Sequence, residues 1–95
     1  MPIRSFADKE LEVFFEIGNL PHKRGWSSIR AVVKRKLDML SYAKALKDLF
    51  SPPSNALEAL SGDLKGNFSI RINDQWRIVF KWDGQPYDVR IMDYH

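Results

Sequence analysis

The feature that most constrains this 95-residue chain lies in its last third, where apolar and polar side chains alternate. Phe68, Ile70 and Ile72 alternate with Ser69 and Arg71. Trp76, Ile78, Phe80 and Trp82 alternate with Arg77 and Lys81, and Tyr87, Val89 and Ile91 with Asp88 and Arg90. A period of two sends successive side chains to opposite faces of a strand, so each run reads as a strand with one buried face. The links between them are short and rich in turn formers, which predicts three antiparallel strands closing the chain.

Parity selects the register. A two-residue turn at Asn73-Asp74 sets Ile72 against Gln75 and Ile70 against Arg77, mixing core and solvent faces. A three-residue turn, Asn73-Asp74-Gln75, pairs Ile72 with Trp76, Ile70 with Ile78 and Arg71 with Arg77, so the odd turn is expected. Across Asp83-Gly84-Gln85-Pro86, pairing Trp82 with Tyr87 sets Phe80 against Val89, Ile78 against Ile91 and Arg77 against Met92. Arg71, Arg77 and Tyr94 then share the face that does not bury the aromatic residues.

Upstream the period changes. Pro2-Ile3-Arg4 reads as a short edge strand, since proline is tolerated where a strand begins. Ser5 followed by Asp8 resembles a capping box, and Leu11, Phe14 and Phe15 form one stripe of a helix from Lys9 to Ile17, ended by Gly18. A second helix begins at Trp26 or Ser27. Its Ile29, Val32, Val33, Leu37 and Leu40 recur at three- and four-residue spacing, which leaves Arg30, Lys34, Arg35 and Lys36 mostly on a solvated face. The pattern extends through Leu49 and Phe50 or breaks at Ser41, and Pro52-Pro53 stops it. Leu57-Glu58-Ala59-Leu60 is a further short strand before a glycine-bounded loop. The expected architecture is α+β, with an N-terminal strand and two helices packed on one face of a small, mainly antiparallel sheet, in the order β-α-α-β-β-β-β.

Length predicts a single domain spanning 1–95. With no cysteine, disulfide scaffolds, thiolate zinc sites and cysteine nucleophiles are excluded, and two histidines, His22 and His95, are no basis for a histidine-rich metal site. No apolar run approaches the roughly 20 residues that span a bilayer, and the first residues lack a hydrophobic leader, so a cytoplasmic protein is expected. The net charge of +3 permits attraction to a polyanion, and the basic excess falls in the first half.

No phosphate loop, dinucleotide fingerprint or nucleophile elbow is present, and no cofactor is expected. The informative feature is a small polar cluster. Two arginines one strand apart can neutralise a phosphate and, if rigid, stabilise a pentavalent phosphorus transition state. Tyr94 can stack on a base or move a proton, and His95 has the unperturbed pKa that suits proton transfer near neutrality. Because His95 also carries the α-carboxylate, its imidazolium is expected to be favoured, which suits a general acid. The bland alternatives are a frayed terminus for His95 and, for the arginines, a solvated sheet face with partners such as Asp88.

The stretch from Leu57 to Ile78, with Ser61-Gly62-Asp63, Lys65-Gly66 and Trp76-Arg77-Ile78, and the terminal Asp93-Tyr94-His95 strongly resemble the HigB toxins of the RelE/ParE superfamily. Ile3-Arg4-Ser5-Phe6 and Arg35-Lys36-Leu37-Asp38-Met39-Leu40 match as well. The resemblance implies a toxin of a type II toxin–antitoxin system that cleaves mRNA in the A site of the small ribosomal subunit. It implies as partner a HigA-type helix-turn-helix antitoxin, through which the pair reaches operator DNA and represses its own operon. In that family cleavage needs no metal: the 2′-hydroxyl attacks the adjacent phosphorus.

Carried onto this chain, the resemblance gives Arg77 the phosphorane charge, and Asp93, Tyr94 and His95 nucleotide orientation and proton movement. Lys65 and Arg71 are candidates for RNA phosphate contacts. Some relatives carry a histidine where this sequence has Glu58, and a lysine where it has Ser61. A glutamate can act as general base; Glu58 is the candidate, and the base itself stays unassigned. Two alternatives remain at this point: a gyrase inhibitor similar to the ParE group, and an inactive antitoxin-binding module.

Overall fold

The computed structural model describes residues 3–20 and 23–93. Helix α1 spans Lys9–Ile17. Its cap is Asp8 alone, whose Oδ1 accepts from the backbone N–H groups of Glu10 and Leu11. Ser5 is not part of that cap: its hydroxyl accepts from the N–H of Asp88. Gly18 ends the helix at φ 75°, a left-handed conformation open to glycine without a Cβ clash.

A 3-10 turn at Ser27–Ile29 leads into helix α2, Arg30–Tyr42. The apolar run beyond it does not extend the helix. Ala43 turns extended, and Leu46–Phe50 forms a separate 3-10 turn in which the Asp48 carboxylate accepts from the N–H groups of Lys44 and Ala45. A third short turn, Pro53–Asn55, ends at Ala56.

The sheet has four antiparallel strands in sequential order: β1 Glu58–Ala59, β2 Phe68–Arg71, β3 Trp76–Trp82 and β4 Pro86–Asp93. The odd turn is present. Ile70 faces Ile78 and Arg71 faces Arg77, while Asn73 Oδ1 holds the turn by accepting from the N–H groups of Gln75 and Trp76.

The β3–β4 ladder departs from the expected pairing at one end. Ile78 faces Ile91 and Arg77 faces Met92 as parity requires, but Trp82 pairs with Pro86 and Lys81 with Tyr87. The register shifts opposite Val79–Lys81, where β4 holds one extra residue and Asp88 takes φ 51°.

The same irregularity explains why the expected N-terminal strand is not seen. Pro2 lies outside the described residues. Residues 4–7 run along β4, with Arg4 N–H donating to the Pro86 carbonyl, Val89 N–H to the Ser5 carbonyl and Ala7 N–H to the Val89 carbonyl. Only Phe6 and Val89 form a parallel bridge. An edge carrying an extra residue offers no regular run of donors and acceptors, so the segment covers the edge without becoming a strand. The element order is therefore two helices followed by four strands.

The core lies between the helices and one face of the sheet. Leu11 and Phe14 from α1, Val33, Leu37 and Leu40 from α2, and Leu49 meet Ile70, Ile72, Ile78, Phe80 and Val89, all buried. Trp76 and Trp82 pack against this cluster partly buried, in keeping with their parity.

Candidate functional site

The opposite face of the sheet is where the polar residues of the alternating runs gather. Paired residues in an antiparallel ladder share a face, so one row crosses all four strands as Glu58, Ser69, Val79 and Arg90. The adjacent row is Arg71, Arg77 and Met92. This is not an open solvated surface: Ser69 and Val79 are fully buried and Arg77 is only 7% exposed.

Arg77 is the fixed point. Its Nε donates to Ser69 Oγ at 2.7 Å, and its Nη2 donates to the Ala56 carbonyl at 2.6 Å and reaches the Ser69 carbonyl at 3.4 Å. Glu58 Oε1 lies 3.8 Å from the same Nη2, on a side chain 45% exposed. A guanidinium tied to several oxygens of the fold is oriented before any ligand arrives, which is what stabilising a developing negative charge requires.

The remaining candidates are distributed unevenly around Arg77. Arg71, its cross-strand neighbour, is part-exposed and pairs with Asp74 across the β2–β3 turn. Lys65 is exposed and closes the Gly62–Leu64 turn, its N–H donating to the Gly62 carbonyl, in the loop that enters β2. Asp93 faces Trp76 and so belongs to the other side of the sheet, where its Oδ2 accepts from Gln75 Nε2 at 3.0 Å. Tyr94 and His95 lie outside the described residues, as does His22. The structure thus brings Glu58, Arg71 and Arg77 onto one face and sets Asp93 on the opposite one.

Asp88 does not act as the arginines' counter-charge; its carboxylate is 3.5 Å from Lys81 Nζ. Among the described residues no three histidine, cysteine, aspartate or glutamate side chains come together as a metal-binding group.

Sequence reasoning passed over two parts of this face. Arg90 Nη1 donates to Asn67 Oδ1 at 3.2 Å and to the Asp88 carbonyl at 3.0 Å, placing a third guanidinium beside Val79. The signal was available, since pairing Ile78 with Ile91 sets Arg90 opposite Val79. Ser69 and the Ala56 carbonyl, which aim Arg77, are the other part. Ser69 could have been found by parity, but a backbone carbonyl in a loop leaves no sequence mark.

The model of HigB-like toxins, described as RelE-like toxins of type II toxin–antitoxin system HigB, matches residues 4–95. Toxin HigB-1 of Vibrio cholerae is 47% identical over 77 residues, covering 81% of this chain and 80% of that protein. The chain belongs to the HigB-like toxin family. An uncharacterized protein of Haemophilus influenzae is 36% identical over 90 residues, covering 95% of this chain and 88% of the relative. The solved YoeB-YefM complex from Staphylococcus aureus contains a chain with the same fold, at TM-score 0.56 and 20% identity over 98% of this chain and 94% of that one.

As a HigB-like toxin, the protein is the toxin of a type II toxin–antitoxin system and has a cognate antitoxin as partner. The RelE-type architecture accounts for the two faces of its sheet: one carries the helices, the other the arginines. Among the described residues no helix is long and apolar enough to cross a membrane.

Proposed function

We propose that this toxin is a cytoplasmic, ribosome-dependent mRNA endoribonuclease that cuts in the A site of the small subunit without a metal or other cofactor. The observation that carries the reading is Arg77, buried and aimed by Ser69 and Ala56 on a face that also holds Arg71, Arg90 and Glu58. The RNA 2′-hydroxyl attacks the adjacent phosphorus, losing its proton to a general base. The bond from phosphorus to the 5′-oxygen breaks, leaving a 2′,3′-cyclic phosphate and a 5′-hydroxyl.

Arg77 stabilises the extra negative charge of the phosphorane, a task for which a preorganised donor contributes about 10²–10³ in rate. Glu58, beside that guanidinium, is the candidate base. His95 supplies the proton to the departing 5′-oxygen, and Tyr94 orients the nucleotide; Asp93, on the opposite face of the sheet, acts by holding the end of β4 through Gln75 rather than by touching RNA. Lys65 and Arg71 hold flanking phosphates. A domain with so little RNA-binding surface depends on the ribosome to present and align the message. Its antitoxin is of the HigA helix-turn-helix type, and the pair represses its operon by binding operator DNA.

The test is the mapping of new mRNA 5′ ends after adding purified protein to translating ribosomes. Cuts at fixed positions within codons, appearing only with ribosomes and lost in His95→Ala, support the reading. Growth arrest without cuts overturns it in favour of gyrase inhibition, and neither cuts nor arrest leaves a purely regulatory, antitoxin-binding protein.

A further inference from the structure

Lys36 breaks the pattern of its helix. It sits among Val33, Leu37 and Leu40 on the inward side of α2 and is only 6% exposed. An ammonium there is costly unless it is hydrogen-bonded, and its Nζ donates to Asn55 Oδ1 at 2.6 Å. Asn55 is fully buried, and its Nδ2 donates to the carbonyls of Leu49 and Ser51 at 3.2 and 3.3 Å.

The amide of one side chain therefore gathers α2 and two points of the loop between the helices and the sheet. The next residue, Ala56, takes a left-handed conformation at φ 46° and ψ 51°, which turns its carbonyl to accept from Arg77 Nη2. A non-glycine residue holds this conformation only where its surroundings impose it. The Asn55 amide is the buried anchor immediately before it.

We propose that Lys36 and Asn55 are positioning residues for Arg77, acting through the Ala56 carbonyl to fix the guanidinium for phosphate chemistry. Burial, and then the charges of Arg35 and Arg71, hold the Lys36 ammonium below the ordinary lysine range. A core that only needed filling at position 36 is served better by an apolar side chain than by an ammonium and its amide partner.

The inference rests on the nuclease reading for its consequence in catalysis, but the positioning itself is measurable without it. The readouts are the Arg77 Nε–H resonance and its exchange rate in labelled free toxin, and cleavage on programmed ribosomes, for Lys36→Met, Asn55→Ala and each combined with Arg77→Ala. The expected result is a shifted Arg77 resonance with faster exchange, and a kcat lowered about 10–100-fold at little changed KM, as misplacement of a reacting group by about 1 Å produces. In the Arg77→Ala background neither substitution lowers cleavage further.

An unchanged resonance and rate in a folded Lys36→Met overturns the proposal, and so does a loss that adds in full to that of Arg77→Ala. If Asn55→Ala does not fold, Lys36→Met carries the test, because it keeps the helix and most of the stem. Should wild type cut nothing on ribosomes, the nuclease reading fails and the Arg77 resonance alone decides the positioning.

Discussion

Arg77 Nη2 and the Ala56 carbonyl meet at 2.6 Å across 21 positions of sequence, tying the third strand to the loop that precedes the first. The acceptor belongs to a residue whose left-handed backbone is unfavourable for alanine. Orientation of the guanidinium and local backbone strain are therefore coupled in one contact.

That coupling makes Ala56→Gly informative. Glycine removes a left-handed penalty of roughly 1–2 kcal/mol and gains some unfolded-state entropy, so a net stabilisation of up to about 1 kcal/mol is expected. For a domain of this size it corresponds to a rise of about 4–8 °C in Tm, measurable by thermal unfolding. A fall in Tm would show that the conformation is not strained.

Gly25 packs against the indole of Trp76, and a Cβ there lies 2.6 Å from Cζ2 and 2.8 Å from Cη2. A bulky indole packed against the core cannot yield cheaply, so Gly25→Ala is expected to cost about 1–3 kcal/mol in urea unfolding. Tryptophan fluorescence reports the displacement. Gly84→Ala, with open space around its Cβ but φ 71°, separates steric from backbone effects.

Much of the fold is legible in the sequence because it follows from periodicity. The limits of α1, the odd turn after β2 and the pairing of Ile78 with Ile91 are all set by which side chains must share a face. The extra residue in β4 is not, because Asp88 at positive φ carries no glycine to announce it, and the N-terminal strand fails for the same reason. The charge of Lys36 predicts a solvated position, although its spacing from Val33 and Leu40 puts it on the buried stripe. Parity also sets Asp93 opposite Trp76, whereas the family motif groups it with Tyr94 and His95; the described residues follow parity.

Asp8 is both the cap of α1 and the partner of Arg24, whose Nη2 and Nη1 reach Asp8 Oδ2 at 2.6 Å and Glu10 Oε1 at 2.9 Å. Burial raises the Asp8 pKa, but the Arg24 hydrogen bond and charge and the N–H groups of Leu11 and Glu10 outweigh it, leaving it below the ordinary value. A carboxyl lowered by folding contributes its stability in full above its unfolded pKa, about 4, and loses it as pH falls through the folded value. Asp8→Ala is expected to cost about 1–2 kcal/mol at pH 7. Denaturation at pH 7 and pH 3 should show the gap between wild type and variant narrowing in acid; a gap independent of pH contradicts the assignment.

Glu58 and Arg71 flank Arg77 in different ways, and kinetics should separate them. Glu58→Gln, at the candidate base, is expected to lower kcat about 10²–10⁴-fold. Arg71→Ala is expected to raise KM with kcat nearly unchanged, as loss of a phosphate contact does. A Glu58→Gln enzyme with wild-type kcat would assign the base elsewhere.

The most direct test of the account is the single-turnover rate of mRNA cleavage by Arg77→Ala on programmed ribosomes, with toxin binding to the ribosome measured alongside. A rate reduced about 10²–10³-fold with binding intact is the predicted result for a preorganised charge stabiliser. A rate within about threefold of wild type, with the variant folded and bound, would contradict the assignment of Arg77 to the phosphorane.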